Sequence, residues 1–150
     1  MADAHAWLAA AAPDPGGTKE RWRLSPRSES LLAVGRVWDM VLAANGKGQA
    51  MLELLVSSGV RPGPVLGDAR GERAVFLVPP GTAVLFAGGE LRGVGRGAWL
   101  SAPGPDVDAS AGCGWLVAPD GSGVLNDPGR LRWAERRTTY ACTAGGGAGR

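Results

Sequence analysis

Hydrophobic and polar positions divide this chain into short apolar runs separated by turn-forming segments. The clearest run, residues 74–78, contains five successive apolar residues and ends at Pro79-Pro80-Gly81. An uninterrupted apolar run that is rich in β-forming residues and stops at a fixed turn is typical of a buried strand. We therefore take this segment as the central strand of the predicted sheet.

Further elements follow from the same kind of pattern. Apolar runs at residues 31–34 and 37–43 predict one or two strands, and further runs predict strands at 64–66, 98–102 and 113–117, with the last two paired to each other. Apolar residues at helical spacing predict helices at residues 4–12 and 49–57, a single helical turn at 83–86, and a final helix with Pro128 at its first position, capped by Asn126 or Asp127.

The combination predicts an α+β fold in a single domain, with a mixed, largely antiparallel sheet and two or three packed helices. The domain spans residues 1–143, of which 1–17 form a helical arm and loop, and residues 144–150 form a disordered Gly-rich tail. A chain of 150 residues is long enough to bury about two-thirds of its unfolded surface in one core.

Composition narrows the class of protein. The net charge of +2 is too small to argue by itself for a nucleic-acid or membrane partner. No apolar run approaches the ~18 residues that a membrane span needs. Cys113 and Cys142 are too few for a disulfide framework, so we expect reduced thiols and a cytoplasmic protein without a membrane partner.

Histidine chemistry is improbable on this sequence. His5 is the sole histidine and lies in the N-terminal arm, which disfavours a Ser-His-Asp triad and a histidine-based zinc site. Asp106 and Asp108 form the chain's one Asp-x-Asp, but they lie in a predicted surface loop, so we predict no metal site. Carboxylate or metal catalysis stays open.

Two glycine-rich segments are candidates for anion binding. Lys47 lies in a predicted turn before the helix at 49–57, where backbone amides attract anions, although a plain tight turn is favoured over a phosphate cradle. Arg92 and Arg96 alternate with glycines that would allow close backbone approach to an anion, although a flexible hairpin connection is favoured.

Two charged segments have a similar pair of interpretations. Residues 19–23 interleave Trp22 with basic residues, which would suit nucleic-acid stacking, but a solvated helical turn with an anchoring indole is favoured. The last helix carries four arginines, and a solvated terminal helix is the default interpretation.

An ordered set of motifs carries a family resemblance. The motifs are Trp38-Asp39-Met40-Val41, Arg61-Pro62-Gly63-Pro64-Val65-Leu66, Phe76-Leu77-Val78-Pro79-Pro80-Gly81-Thr82-Ala83, Gly95-Arg96-Gly97-Ala98-Trp99 and Trp115-Leu116-Val117-Ala118-Pro119-Asp120-Gly121-Ser122-Gly123. In this order the chain resembles a group of small, uncharacterised actinobacterial proteins. That group in turn resembles, more distantly, the N-terminal domain of bifunctional DNA primase/polymerases, in which carboxylates and a histidine hold metal and nucleotide.

The resemblance implies a depleted catalytic set. Asp39 stands for the first carboxylate, but Val41 replaces the second. Arg73 lies near the position of the histidine, and Glu90 resembles the final acidic residue. Two-metal catalysis needs several converging oxygen ligands, so Asp39 and Glu90 are weak catalytic candidates that would use Mg²⁺ or Mn²⁺ only if catalysis survives.

Three functional hypotheses follow, in this order. The first is a non-catalytic primase/polymerase-like domain that binds nucleotide, single-stranded DNA or a protein, with Arg73, Glu90, Arg92 and Arg96 around a pocket and Lys47 as a further ligand-binding candidate. The second is a protein-interaction or regulatory module without a ligand pocket, using exposed tryptophans and the Arg-rich last helix. The third is a residual metal-dependent nucleotidyl transferase, which requires Asp39 and Glu90 to approach each other.

Overall fold

Helices and strands account for most of the described chain, which in this computed structural model comprises residues 3–68 and 72–148, with the backbone alone described for residues 111 and 139–148. The helices are α1 (Ala4–Ala9), α2 (Pro15–Leu24), α3 (Asn45–Ser57) and α4 (Pro128–Ala148). The strands are β1 (Ser30–Ala33), β2 (Asp39–Ala44), β3 (Val65–Asp68), β4 (Arg73–Val78), β5 (Arg92–Val94), β6 (Trp99–Ala102) and β7 (Gly114–Val117). Two 3₁₀ helices span Thr82–Phe86 and Ala109–Ala111.

The strands form two antiparallel sheets. The large sheet has the order β5-β2-β4-β3-β7, and the small sheet pairs β1 with β6. Strand β4 is central and is buried from Ala74 to Val78, which confirms the strand predicted there. The α+β class is confirmed, with two sheets and four helices in the described residues where the sequence predicted one sheet and two or three helices.

Each face of the large sheet packs against its own layer. One face, which includes Met40 and Val75, packs against α1, α2 and the small sheet, and we call it the N-terminal face. The opposite face, which includes Val41 and Phe76, packs against α3, α4 and the first 3₁₀ helix, and we call it the helical face. Directly opposed residues of antiparallel strands share a face, so the register assigns every strand position to one layer.

Three local predictions are wrong. Strand β6 pairs with β1, and β7 pairs with β3, where the sequence predicted that the two would pair with each other. Residues 45–48 form the first turn of α3 rather than a loop before it. Helix α2 begins at Pro15, inside the segment that was predicted to end the first helix, because Asp14 caps it through the amide of Gly17 at 3.1 Å.

The start of α4 confirms the predicted capping signal. The Asp127 carboxylate accepts from the amide of Arg130 at 2.9 Å, and Pro128 occupies the first helical position. Asn126 is instead buried as a bridge, since its side-chain amide donates to the carbonyls of Pro64 and Leu77 at 2.9 and 3.1 Å. Asn126 thereby ties the chain before α4 to the central strand.

The C-terminal end is described in part. Helix α4 includes residues 144–148 of the segment for which the sequence predicted disorder, and residues 149 and 150 lie outside the described residues. The side chain of Cys142 also lies outside the description, so the predicted reduced state of the cysteines stays a prediction. None of the described helices is both long and apolar enough to cross a bilayer.

Candidate functional site

A cleft of about 440 Å³ lies between strand β5, the first 3₁₀ helix and the turn that precedes β2. Two of the residues singled out from the sequence, Asp39 and Arg96, line it. Apolar surface comes from Val84 and Phe86, and much of the remaining wall is glycine. The volume falls within the range of about 300–1,000 Å³ that is usual for small-molecule sites.

Glycine in β5 is what allows the wall of this cleft to form. A Cβ on Gly93 would lie 2.0 Å from the carbonyl oxygen of Ala83, so the 3₁₀ helix packs directly on the backbone of the strand. Gly95 faces Asp39, whose Oδ2 would lie 3.5 Å from a Cβ at that position. Gly93 therefore serves a close backbone contact, and residues 95–98 make the turn into β6 through the amide of Ala98 and the carbonyl of Gly95.

Asp39 forms the base of the cleft. It is 2% exposed and lies at the start of β2, opposite Val78, where it faces the turn after β4. Its Oδ2 accepts hydrogen bonds from the amides of Gly81 at 2.8 Å and Ala83 at 3.0 Å. Gly81 has φ of +87°, a conformation that glycine adopts without steric cost. The carboxylate therefore holds the double-proline turn and caps the 3₁₀ helix.

Arg96 lies at the rim of the same cleft. Its side chain is exposed and makes no ion pair or hydrogen bond with the residues that the structure describes. A Cβ on Gly35 would lie 2.5 Å from the Cα of Arg96, so the two backbones are in close contact. The backbone of Arg96 is held by this contact, and its guanidinium has no partner among the described residues. Arg96 is therefore suited to bind a ligand that carries negative charge.

Lys47 does not point toward a ligand site at the start of α3. It is buried, and its Nζ lies 3.3 Å from a carboxylate oxygen of Glu90, 3.1 Å from the carbonyl of Glu135 and 3.3 Å from the hydroxyl of Thr138. These contacts join α3, α4 and the segment before β5. Glu90 is thus engaged by a buried ammonium, while Asp39 is engaged by backbone amides.

Arg73 and Arg92 lie on the N-terminal face of the large sheet, away from the Lys47–Glu90 pair. Arg92 is opposite Leu42, and Arg73 is opposite Ala44, two residues further along β2. Two strand spacings and two residues of rise separate their Cα atoms by about 12 Å. The structure therefore brings Arg73 and Arg92 to one face but does not gather them around Glu90 and the Arg96 cleft.

The acidic loop candidates have other partners. Asp108 accepts from the hydroxyl and the amide of Ser110, which lowers the pKa of that carboxyl, as does the more distant charge of Arg27. Asp106 Oδ2 lies 3.3 Å from Nε2 of His5. Among the described residues, no three His, Cys, Asp or Glu side chains are grouped as metal ligands.

Several side chains of the two charged surface segments already have partners within the protein. Trp22 is 1% exposed and its indole donates to the carbonyl of Ser28, so it presents no ring for base stacking. On α4, Arg132 contacts the carboxylate of Glu135 and the ring of Phe86, and Arg137 lies 4.4 Å from the ring of Trp133. The favoured interpretation of residues 19–23, a helical turn with an anchoring indole, agrees with this geometry.

Sequence reasoning missed the turn before β2 and the 3₁₀ helix as walls of one cleft. Gly35 and Val84 carry no chemistry by type, so no motif marks them. The available signals were the double proline followed by glycine and the alternating glycines of residues 93–97, each of which was interpreted alone. Their contact depends on Asp39, which lies some forty residues from both of its amide donors in the chain.

Comparison with known proteins finds no similar protein. No protein-family model, no curated protein and no solved structure matches the chain.

Proposed function

We propose that this protein is a non-catalytic binding domain that takes a nucleotide, or a similar small phosphate-bearing molecule, in the Arg96 cleft. The observation that carries the proposal is the exposed Arg96 guanidinium at the rim of a ligand-sized cleft. The one carboxylate in the cleft wall, Asp39, is 2% exposed, and its Oδ2 faces the amides of Gly81 and Ala83 at the base of the cleft, whereas Arg96 is exposed at the rim.

Phosphate binding suits this arrangement on chemical grounds. A guanidinium presents two parallel N–H donors that match the oxygens of a phosphate. Val84 and Phe86 offer apolar surface against which a base or sugar can pack. The resemblance to primase/polymerase N-terminal domains supports a nucleotide over other phosphate esters.

We propose a non-catalytic protein because both candidate carboxylates already have structural partners. Asp39 caps the turn after β4, and Glu90 contacts the buried Lys47, so each has a structural contact that a metal ion would have to replace. A catalytic pair of metal ions needs several oxygen ligands directed at one point. We therefore place the residual nucleotidyl transferase last among the hypotheses.

The test is a titration of the purified protein with ATP, with a deoxynucleoside triphosphate and with short single-stranded DNA, each with and without Mg²⁺ or Mn²⁺ and at two salt concentrations. Isothermal calorimetry measures the affinity. We expect saturable nucleotide binding that Arg96→Gln weakens by about 10- to 100-fold, the usual loss for a charged hydrogen bond.

Arg92→Gln is the matched control, because it removes the same charge from an exposed position on the other face of the sheet. Equal losses in both variants would mean that net charge, and not the cleft, governs binding. A loss confined to Arg92→Gln and Arg73→Gln would move the site to the N-terminal face. No binding at millimolar ligand would overturn the proposal, and metal-dependent primer synthesis would replace it with the enzyme.

A protein-interaction module is the second candidate, and one observation favours it. Trp99 and Leu31 are 52% and 57% exposed on the outer surface of the small sheet. Exposed aromatic and aliphatic side chains in contact range are frequent in protein interfaces. Failure of nucleotide binding would leave this surface as the functional one.

A further inference from the structure

The small sheet has one strand edge that the rest of the described chain leaves uncovered. Strand β6 pairs with β1 in the register Ser30 to Ala102, and Val34 donates to the carbonyl of Ala98 just beyond it. Hydrogen-bonded pairs alternate along an antiparallel ladder, so the backbone groups of Trp99 and Ser101 point away from β1. No backbone hydrogen bond joins these groups to any described residue.

The other sheet edges are covered in part or carry a charge. The amide of Ala33 on the outer edge of β1 donates to the carbonyl of Ala11 at 2.8 Å. On β7, the amide of Trp115 donates to the carbonyl of Val107 at 2.8 Å. Strand β5 carries the charged Arg92 on its short edge. Charge, shortness and covering segments are the usual means by which proteins prevent pairing at a sheet edge.

Strand β6 is also short, but it carries no charge and no described segment covers its outward backbone groups. Its four residues, Trp-Leu-Ser-Ala, include no charge, no proline and no bulge. Beside the open edge, the exposed Trp99 and Leu31 lie on the outer surface of the sheet, diagonal to each other across the β1–β6 pair. The nearest carboxylate is that of Glu29, which accepts from the Ser101 hydroxyl at 2.8 Å and leaves the outward backbone groups of β6 free to pair with another extended strand.

We propose that β6 pairs with β6 of a second copy of this chain, which makes a symmetric dimer with a continuous four-stranded sheet. The edge is complementary to itself. An antiparallel pairing centred on Leu100 places Trp99 of each copy opposite Ser101 of the other, and each opposed pair exchanges two hydrogen bonds. Every outward donor and acceptor of the two residues then has a partner.

Side-chain sizes fit the same register. On the outer surface, the row across the dimer is Leu31, Ser101, and then Trp99 of the second copy. Because Ser101 is small, the indole of one copy can lie across it toward Leu31 of the other, which covers both exposed apolar side chains. On the inner surface, Leu100 meets Leu100 of the second copy and extends the core that already includes this residue.

The first experiment measures molecular mass by sedimentation over about a hundredfold range of protein concentration, because a dimer of this kind follows mass action. We expect a monomer–dimer equilibrium. Ser101→Pro removes the outward amide without touching the β1 ladder and abolishes the dimer. Trp99→Ser weakens it at least tenfold, whereas Val84→Ser leaves it unchanged, since Val84 is apolar and 78% exposed but lies on the helical side.

The second experiment tests the register. In a background with Cys113 and Cys142 changed to serine, Trp99→Cys and Ser101→Cys proteins are prepared separately and then mixed under mild oxidation. The proposed pairing places these two positions directly opposite each other, at a Cα separation of about 5.5 Å that suits a disulfide. The mixture should cross-link faster than either protein alone.

Several outcomes overturn the proposal. One is a protein that stays monomeric at every concentration. Another is a dimer that persists in Ser101→Pro while circular dichroism shows that the variant is folded. Equal cross-linking in mixed and unmixed samples excludes the register. Capture of a different extended peptide at β6 by a strictly monomeric protein would replace the second copy as the occupant. Arg96→Gln leaves dimerisation unchanged, so ligand binding and dimerisation fail or succeed separately.

Discussion

Replacing Asp39 with alanine tests whether this carboxylate acts as a structural cap. The buried amide of Ala83 would lose a charged acceptor, which costs about 2–3 kcal/mol. The amide of Gly81 is partly accessible to water and would lose about 1.5 kcal/mol. The variant no longer has to desolvate a carboxylate on folding, which offsets about 1 kcal/mol of this loss. We expect a net loss of about 3 kcal/mol in the free energy of unfolding.

Asp39→Asn is the matched control. Both amides bond to the same oxygen, Oδ2, so the side-chain oxygen of asparagine can accept both bonds without the charge. Uncharged hydrogen bonds are roughly half as strong, and we expect a loss of about 1–1.5 kcal/mol. Urea unfolding followed by far-UV circular dichroism measures both variants, with the slope compared to confirm that the unfolding transition is unchanged.

Two results would refute the capping argument. One is an alanine variant within about 0.5 kcal/mol of the unmodified protein, the range of an inconsequential surface substitution. The other is an equal loss in the alanine and asparagine variants, which would make the charge, and not the acceptor geometry, the important property. Stabilisation by Mn²⁺ that Asp39→Asn abolishes would assign Asp39 to a metal instead.

Four further substitutions, one of them a control, test the contacts around the large sheet. Lys47→Met should lower the free energy of unfolding by about 2–3 kcal/mol in urea, because three polar partners lose their donor, whereas Glu90→Gln, at the half-exposed partner, should cost less than 1 kcal/mol. Equal losses would contradict a buried lysine anchor. Asn126→Asp should cost about 3 kcal/mol near neutral pH, since a carboxylate would face two carbonyl oxygens. The folded state then binds the proton more tightly than the unfolded state, so stability falls as pH rises, and unfolding at acid and neutral pH should show the deficit growing toward neutral pH. Gly93→Ala should displace the carbonyl of Ala83, cost about 2 kcal/mol and weaken nucleotide binding, and an alanine variant with unchanged stability would show that the 3₁₀ helix does not pack on β5 as described.

The candidate site was predictable in its parts but not in its assembly. Asp39 and Arg96 were singled out from motifs, and the structure places both in one cleft. Lys47 was predicted in a turn at a helix start, yet tertiary contacts bury it against Glu90 and α4. A glycine-flanked lysine has the same local pattern in both settings, and only the position of α4 distinguishes them.

Arg73 and Arg92 illustrate a second limit. Their sequence positions were compatible with a shared pocket that included Glu90. Whether two strand residues share a face depends on register, and a shift of one residue reverses the face. The register of β2 with β4 and β5 puts both arginines on the N-terminal face, and no local signal encodes that register.

What the sequence alone determined is a set of local elements: the apolar strand that ends before Pro79, the final helix with its Asp127 and Pro128 start signal, and the α+β class. These features depend on residues within a few positions of one another, where backbone sterics, capping and hydrophobic periodicity act directly. The tertiary structure alone decided that β6 pairs with β1 and not with β7. Pairing of distant strands depends on which faces can be buried together, and that choice is made by the whole core at once.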